Sequence, residues 1–571
     1  MNHWEEKLLQ AVSSETGWQL VEAFSKQMRC LPQDVTRGAE IIEQMLRKSG
    51  LDPVVHYPEI YLGIPLSASV STNGKTIAAK ASALSPGVSG LTAPLLHLKA
   101  KPSQQGVHPG DAASLFERRF ANTEDAIAEV AGKIVLTEGL SNPARTQLLQ
   151  SWGALAVIVI NPGDRSHWGT NSVIWGSPVG DEIHHLPKIA SVAVSRAEGD
   201  VLRDLAAAGQ SVSLDVEALH GWFRQPVVTA EVKGFGPEAE DFVLLHSHYD
   251  SWDYGVGDNA TGNAVVLEVA RLFNQFETPM RRTVRFAWWP GHSAGRYAGS
   301  AWYADAFGSE LSANCVAHVN CDSPGCADAT SYHVIRSMRE AGPLLRRSVA
   351  ELFGQQCEIT RPGRAGDYSF NNLGIPGTML TSSMVPREER DRRGWYPVGG
   401  CGGSPAWHSE YDTIEVASRD VLENDIRLYA IVVARLANEP GLPLDYAETL
   451  MELREVIGKL APARFTPAQV AKLDSDLENA ADRLSEALER HGRSSHSANR
   501  LLKKVSRILV RLNFALGPAH VQDPARSLQP VPVLANAPGL DDMSPQATIA
   551  RMRAWNALTI ATDQLRGAID G

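Results

Sequence analysis

The sequence predicts an α/β protein built on a mixed sheet flanked by helices. Two observations carry this. Apolar runs that end in polar residues alternate with stretches of helical periodicity across 226–440. Several of those run ends carry a His or an Asp, where open α/β sheets place their ligands. The 571-residue length suggests about three or four domains. Hydrophobic residues at 43% and charged residues at 21% are ordinary for a folded protein, which excludes dominant disorder.

Residues 8–50 read as helical. LLQAVSSETGWQLVEAFSKQM and VTRGAEIIEQMLRKSG space apolar residues three and four apart, and Gly50 sits where a helix would stop. From 51 to 100 the chain switches to short extended runs such as VVHYPEIYLGIPLSASV, which predict strands. Residues 101–225 form a small α/β block, with strands at GKIVLTEG, ALAVIVINPGD and KIASVAVS, and no catalytic cluster of their own. In 226–440, DFVLLHSHYD, TVRFAWWP, NCVAHVNCDSPG and LGIPGTMLTSS are strands, and NAVVLEVARLFNQF is an amphipathic helix. Residues 441–571 are mainly helical, and PAHVQDPARSLQPVPVLANAPG precedes a last helix near 544–569. Residues 1–100 are assigned to the same domain as 226–440, which makes that domain discontinuous.

Composition narrows the function. The 65 acidic residues exceed the 54 basic ones, giving −11, against a general nucleic-acid binder. Cysteines at 30, 315, 321, 326, 357 and 401 form no CxxC pair, so neither a Cys-rich zinc finger nor a disulfide scaffold is expected. MNHWEEKLLQ lacks a basic start and apolar core, and no run of about 18 apolar residues occurs. The expectation is a cytoplasmic protein with reduced thiols and no membrane span.

The chemistry concentrates in three places. HSHYDSWDYGVGDNATG (246–262) follows an apolar strand and offers His248, Asp250 and Asp258. VNCDSPG adds Asp322, and WHSEYDT adds His408. Imidazoles and carboxylates at strand ends are sound ligands for zinc, and also for manganese, iron, cobalt or nickel. Asp258 can alternatively do no more than cap the following helix.

The order HxD, DN in a Gly-rich loop, LEVAR, RFAWW, NxDxxG, GDxxFxxxGIP and HSxxDT resembles the zinc aminopeptidase family that includes glutamate carboxypeptidase and the transferrin receptor. The block at 101–225 resembles that family's inserted protease-associated domain, and the tail at 441–571 its helical dimerisation domain. The resemblance implies that His248 and Asp322 bind one metal, His408 a second, and that Asp258 bridges them. It further implies that Asp250 orients His248 and that a homodimer forms. The activity implied is metal-dependent hydrolysis of an amide-type bond in a peptide or small molecule, through activated water.

The sequence departs from the family twice. A Glu-Glu pair is expected about seven residues after Arg285, but His292 and Ser293 stand there. His292 is therefore read as either an adapted ligand or a general base. Trp407 replaces the Tyr that precedes the last His, leaving an indole N–H as the only donor. Rival readings are a non-catalytic receptor-like scaffold, a non-hydrolytic metalloenzyme, and a serine hydrolase. The last would use Ser293 of GHSAG with Asp367 and His408. Arg361 and Arg364 are candidates for a clamp on a substrate carboxylate. The stretch REERDRRGWYPVGGCGGSPA (387–406) reads as a mobile loop able to cover the site.

Overall fold

The strands divide between two sheets, and the chain leaves the first, builds the second and returns. The computed structural model describes all residues except 73, 102–114, 119, 278–279, 382 and 527, so the first part of the block expected at 101–225 lies outside the described residues. Strand β1 (Val54–His56) opens the first sheet. A closed barrel follows, made of β2 (Glu59–Thr72), β3 (Lys75–Ala81), β4 (Val88–His97), β5 (Ile134–Glu138), β6 (Ala156–Ile160), β7 (Ala190–Val194) and β8 (Ser211–Arg224). The chain returns through β9 (Val227–Val232), β10 (Phe242–His248), β11 (Thr283–Trp289), β12 (Cys315–Asp322), β13 (Val334–Ser337), β14 (Glu358–Thr360) and β15 (Gly377–Thr381).

The division between sheets therefore falls near residue 57 rather than at 100. The reason is the long antiparallel ladder from Glu59–Arg224 to Ser71–Ser213, which commits β2 to β8 and draws β3 and β4 into the barrel. Strands β5, β6 and β7 are parallel and buried along their whole length, as apolar runs such as AVIVI require.

The first sheet runs β1-β9-β11-β10-β12-β15-β13-β14. At its centre β10 pairs in parallel with β11 and β12, so all three end on the same edge. The helix Thr261–Gln275 lies against this layer. Its sequence reads as amphipathic, yet it is buried almost all round, because the N-terminal helix Glu15–Phe24 and the helix Arg419–Asn438 cover its outer sides. Gly17 permits that approach: a Cβ there would lie 2.8 Å from Glu268 Cγ. The buried Glu268 carboxylate accepts from Gly17 N at 2.8 Å and Arg271 Nε at 2.6 Å. The C-terminal helices Tyr446–Leu460, Pro467–His491, His496–Phe514 and Pro545–Asp570 share one continuous apolar core with the sheet layer.

Candidate active site

Parallel strands aim their carboxyl ends at one place. His248 ends β10, Asp322 ends β12, and Asp258 follows in the Gly-rich loop before the helix at 261. His292 comes just after β11, and His408 from the loop after the helix Arg387–Arg392. The sequence-predicted ligands meet here. His248 Nε2 is 3.1 Å from Asp258 Oδ1 and 3.7 Å from Asp322 Oδ1, and His408 Nε2 is 3.1 Å from Asp258 Oδ2. Ligand atoms of His248, His292 and Asp322 all lie within 4.8 Å of one another.

Each imidazole is oriented through its other nitrogen. His248 Nδ1 donates to the Asp250 carbonyl at 3.0 Å, His408 Nδ1 to the Trp168 carbonyl at 3.0 Å, and His292 Nδ1 to Asp367 Oδ2 at 2.6 Å. That pattern leaves Nε2 as the free lone pair on all three rings. His408 and Asp367 both sit in the left-handed backbone region, at φ 54° and 57°. Such conformations cost about 1–3 kcal/mol each and persist where the surroundings fix them.

A second tier of contacts holds the first. The Asp250 carboxylate accepts from the backbone N–H of His292 at 3.0 Å and Ser293 at 3.2 Å, and lies 3.6 Å from His248 Nδ1. It thus fixes the 290–293 turn as well as flanking His248. Asp412 accepts from Gly257 N at 2.6 Å and Asp258 N at 2.9 Å, which sets the loop carrying Asp258. Asp367 is in turn braced by Ser300 at 2.6 Å, which contacts Ser369 at 2.9 Å, itself bound by Trp175 Nε1 at 2.8 Å. Sequence reading missed Asp367 as the partner of His292, since 75 residues separate them. It also missed Trp168, a barrel residue that reaches the centre.

The electrostatics set imidazoles against buried carboxylates. Burial opposes a charge on His248, but Asp250, Asp258 and Asp322 outweigh it and raise its pKa well above the usual imidazole range. Burial likewise opposes charge on Asp258, and His248 and His408 hold it well below the usual carboxylate range. Asp412 is pushed up to about 7 by burial and by the charge of Asp258. Several buried carboxylates thus converge with imidazoles as their main counter-charge, which suits a divalent ion.

Other expectations resolve differently. Arg361 is no substrate clamp: its guanidinium binds Asn513 Oδ1 and O at 2.8 and 2.6 Å and lies 3.8 Å over the Phe514 ring, docking a C-terminal helix. Arg364 does line the cavity, but it donates to the Asp523 and Pro524 carbonyls and stacks on Trp175. The Ser293 triad does not assemble, because Asp367 pairs with His292 and His408 faces Asp258. Trp407 stacks on His408 at 3.5 Å, lines the cavity, and its indole N–H has no hydrogen-bond partner among the described residues. The 387–406 stretch is packed rather than free: Trp395 and Val398 pack against the cluster holding Trp407, and Tyr396 OH meets His167 Nε2 at 2.7 Å.

A cavity of about 940 Å³ opens beside the cluster, walled by the first sheet's loops, the barrel and the C-terminal helical region. Comparison with known proteins agrees with this architecture. Leucine aminopeptidase 2 of Arthroderma otae is 25% identical over 417 residues, spanning 69% of this chain and 76% of that protein. A probable glutamate carboxypeptidase of Zea mays is 25% identical over 250 residues, or 39% and 32% of the two chains. Among solved structures, an aminopeptidase from Aneurinibacillus sp. strain AM-1 superposes with a TM-score of 0.56 at 21% identity, covering 76% of this chain and 96% of that one. A zinc aminopeptidase from Bacillus subtilis gives 0.55 at 20% identity, covering 75% and 94%. Residues 228–432 match the model of peptidase family M28, and the chain is built on the fold of the zinc aminopeptidase structures.

Proposed function

We propose that the chain is a metal-dependent hydrolase of an amide-type bond in which His292, braced by Asp367, replaces the usual acidic base. The observation that supports this most is the stacking of His292 on His248, with ring centroids 3.7 Å apart and planes 17° from parallel. An imidazole lone pair lies in the ring plane. Two rings stacked this closely cannot both aim at one ion about 2.1 Å from each nitrogen. With His248 flanked by Asp258 and Asp322, His292 is left to act on protons.

In this reading His248, Asp258, Asp322 and His408 hold the metal, with zinc favoured by the named relative. Bound there, a divalent ion polarises a carbonyl and makes water more acidic. His292 Nε2 accepts a proton from the attacking water, while Asp367 holds Nδ1–H and stabilises the imidazolium. The same nitrogen then returns the proton to the departing amine. The Trp407 indole N–H is the donor available to the developing oxyanion, and Asp250 keeps the His292 turn in register.

The test is His292→Ala, read by elemental analysis and by turnover of a peptide and N-acyl amide panel. Metal content equal to wild type with a rate loss of about a hundredfold or more supports the base. Loss of metal in step with rate makes His292 a ligand and overturns this assignment.

A further inference from the structure

Two consecutive residues of the loop between β6 and β7 grip two consecutive residues of the site. Trp168 donates its backbone N–H to the His408 carbonyl at 2.9 Å, and its own carbonyl accepts from His408 Nδ1 at 3.0 Å. His167 Nδ1 stands 2.6 Å from the Trp407 carbonyl. The grip thus spans both Trp407 and His408, whose rings stack at 3.5 Å. His408 holds its left-handed backbone, at φ 54°, inside that grip.

The His167 ring admits one tautomer. A carbonyl only accepts, so Nδ1 carries the proton and donates it to Trp407. Nε2 is then the lone pair, and it accepts from Tyr396 OH at 2.7 Å. Burial pushes the Tyr396 hydroxyl up to about 12, so it keeps the proton it donates. Burial, only partly offset by the Trp407 carbonyl, pushes His167 down to about 4, and the ring is neutral. His167 is itself fixed to the barrel. Its backbone N–H donates at 2.6 Å to Oδ1 of Asn161, which directly follows β6, and the Asn161 amide donates to the Gly139 carbonyl at 2.8 Å. Gly163 lets Tyr396 come close, since a Cβ there would lie 2.3 Å from its ring. A phenylalanine would fill the same volume. A buried imidazole with both nitrogens paired also fixes direction.

We propose that His167 is a positioning residue for the metal site: it holds the Trp407 carbonyl so that His408 Nε2 faces Asp258, and the barrel thereby sets the His408 side of the ligand set. This rests on the reading of His408 as a ligand.

The experiment loads the full chain with cobalt(II), whose visible bands report ligand geometry. Its affinity is measured by chelator competition, beside the thermal midpoint of the metal-free chain. His167→Phe keeps a ring and removes both side-chain hydrogen bonds. It is expected to shift the bands and to weaken cobalt about ten- to a hundredfold. His167→Asn places an amide N–H where Nδ1–H stood and is expected to recover most of that affinity. A merely structural His167 predicts a lowered midpoint with wild-type bands and affinity, and that result overturns the proposal. So does His167→Asn binding cobalt as weakly as His167→Phe. Should His167→Phe fail to fold, Tyr396→Phe takes its place: a smaller weakening is expected, and unchanged cobalt binding overturns the proposal. His408→Ala separates the two readings. Cobalt binding unchanged in His408→Ala sinks the ligand reading and the role of His167 with it. Binding lost in His408→Ala but untouched in His167→Phe sinks the role of His167 alone.

Discussion

His246 and His248 lie two residues apart on β10 and are both buried, yet their surroundings drive them in opposite directions. His246 Nε2 meets His318 Nδ1 at 3.1 Å, beside Trp289 and Phe370. Burial, then the neighbouring imidazole, push its pKa well down. His248 faces three carboxylates and is pushed well up. Residue type and strand position are shared, so neither makes a cation site. What differs is the acids, Asp250 and Asp258 from the chain after β10 and Asp322 from the end of β12, which surround the second histidine alone. The same strand thus carries one histidine packed among rings and one surrounded by carboxylates.

The largest expected effect removes the acid that distinguishes them. Asp258 joins His248 to His408, so Asp258→Asn leaves two imidazoles without their shared anion. Metal content is expected to fall close to zero, and any amide turnover by about a thousandfold or more. Elemental analysis of variant and wild type side by side checks it. Full metal occupancy in the variant would mean that acid content is not what separates the two histidines.

Much of this contrast was legible in the sequence. HxD, GDN, NCD and HSEYDT mark His248, Asp258, Asp322 and His408 because strand-end ligands sit in short local motifs. The sheet alternation was legible for the same reason. The partners were not. Asp367 reaches His292, and Trp168 reaches His408, across folds of the chain that no local pattern encodes. Arg361, which stands close to the GDxxF motif, turned out to hold Asn513 of the helical region, 152 residues on. The barrel boundary failed in the same way, because β2 is fixed by β8 and not by anything near residue 100.

A smaller effect tests the other histidine. His246→Leu keeps the volume but leaves His318 Nδ1 without its partner in an apolar setting. An orphaned buried polar atom costs about 1–3 kcal/mol, so the thermal midpoint is expected to drop while metal content holds. If the metal left with the stability, the two histidines would be one coupled unit.

The smallest expected effect moves the contrast to a carboxyl far from the centre. Glu340 is fully buried, accepts from Thr449 Oγ1 at 2.6 Å, and its other oxygen has no partner among the described residues. Burial raises its pKa to about 7, Glu452 adds to that, and Thr449 and Arg361 work against it. A raised acid pKa favours the folded state while the group is protonated. Below about 4.3, the unfolded value, both states hold the proton and the full contribution is present. As pH rises from there toward about 7 the unfolded chain releases its proton first, so stability falls across that window. Glu340→Gln keeps the acceptor for Thr449 and removes the titration. The variant is expected to gain about 1–3 kcal/mol over wild type at pH 8 and to show little difference at pH 4. Denaturant melts at the two pH values check this. A wild-type stability that rose between pH 5 and 7 by the same amount in both proteins would place the titrating group elsewhere. A gain confined to high pH would show that a buried group's neighbours, here as on β10, decide which charge state the fold keeps.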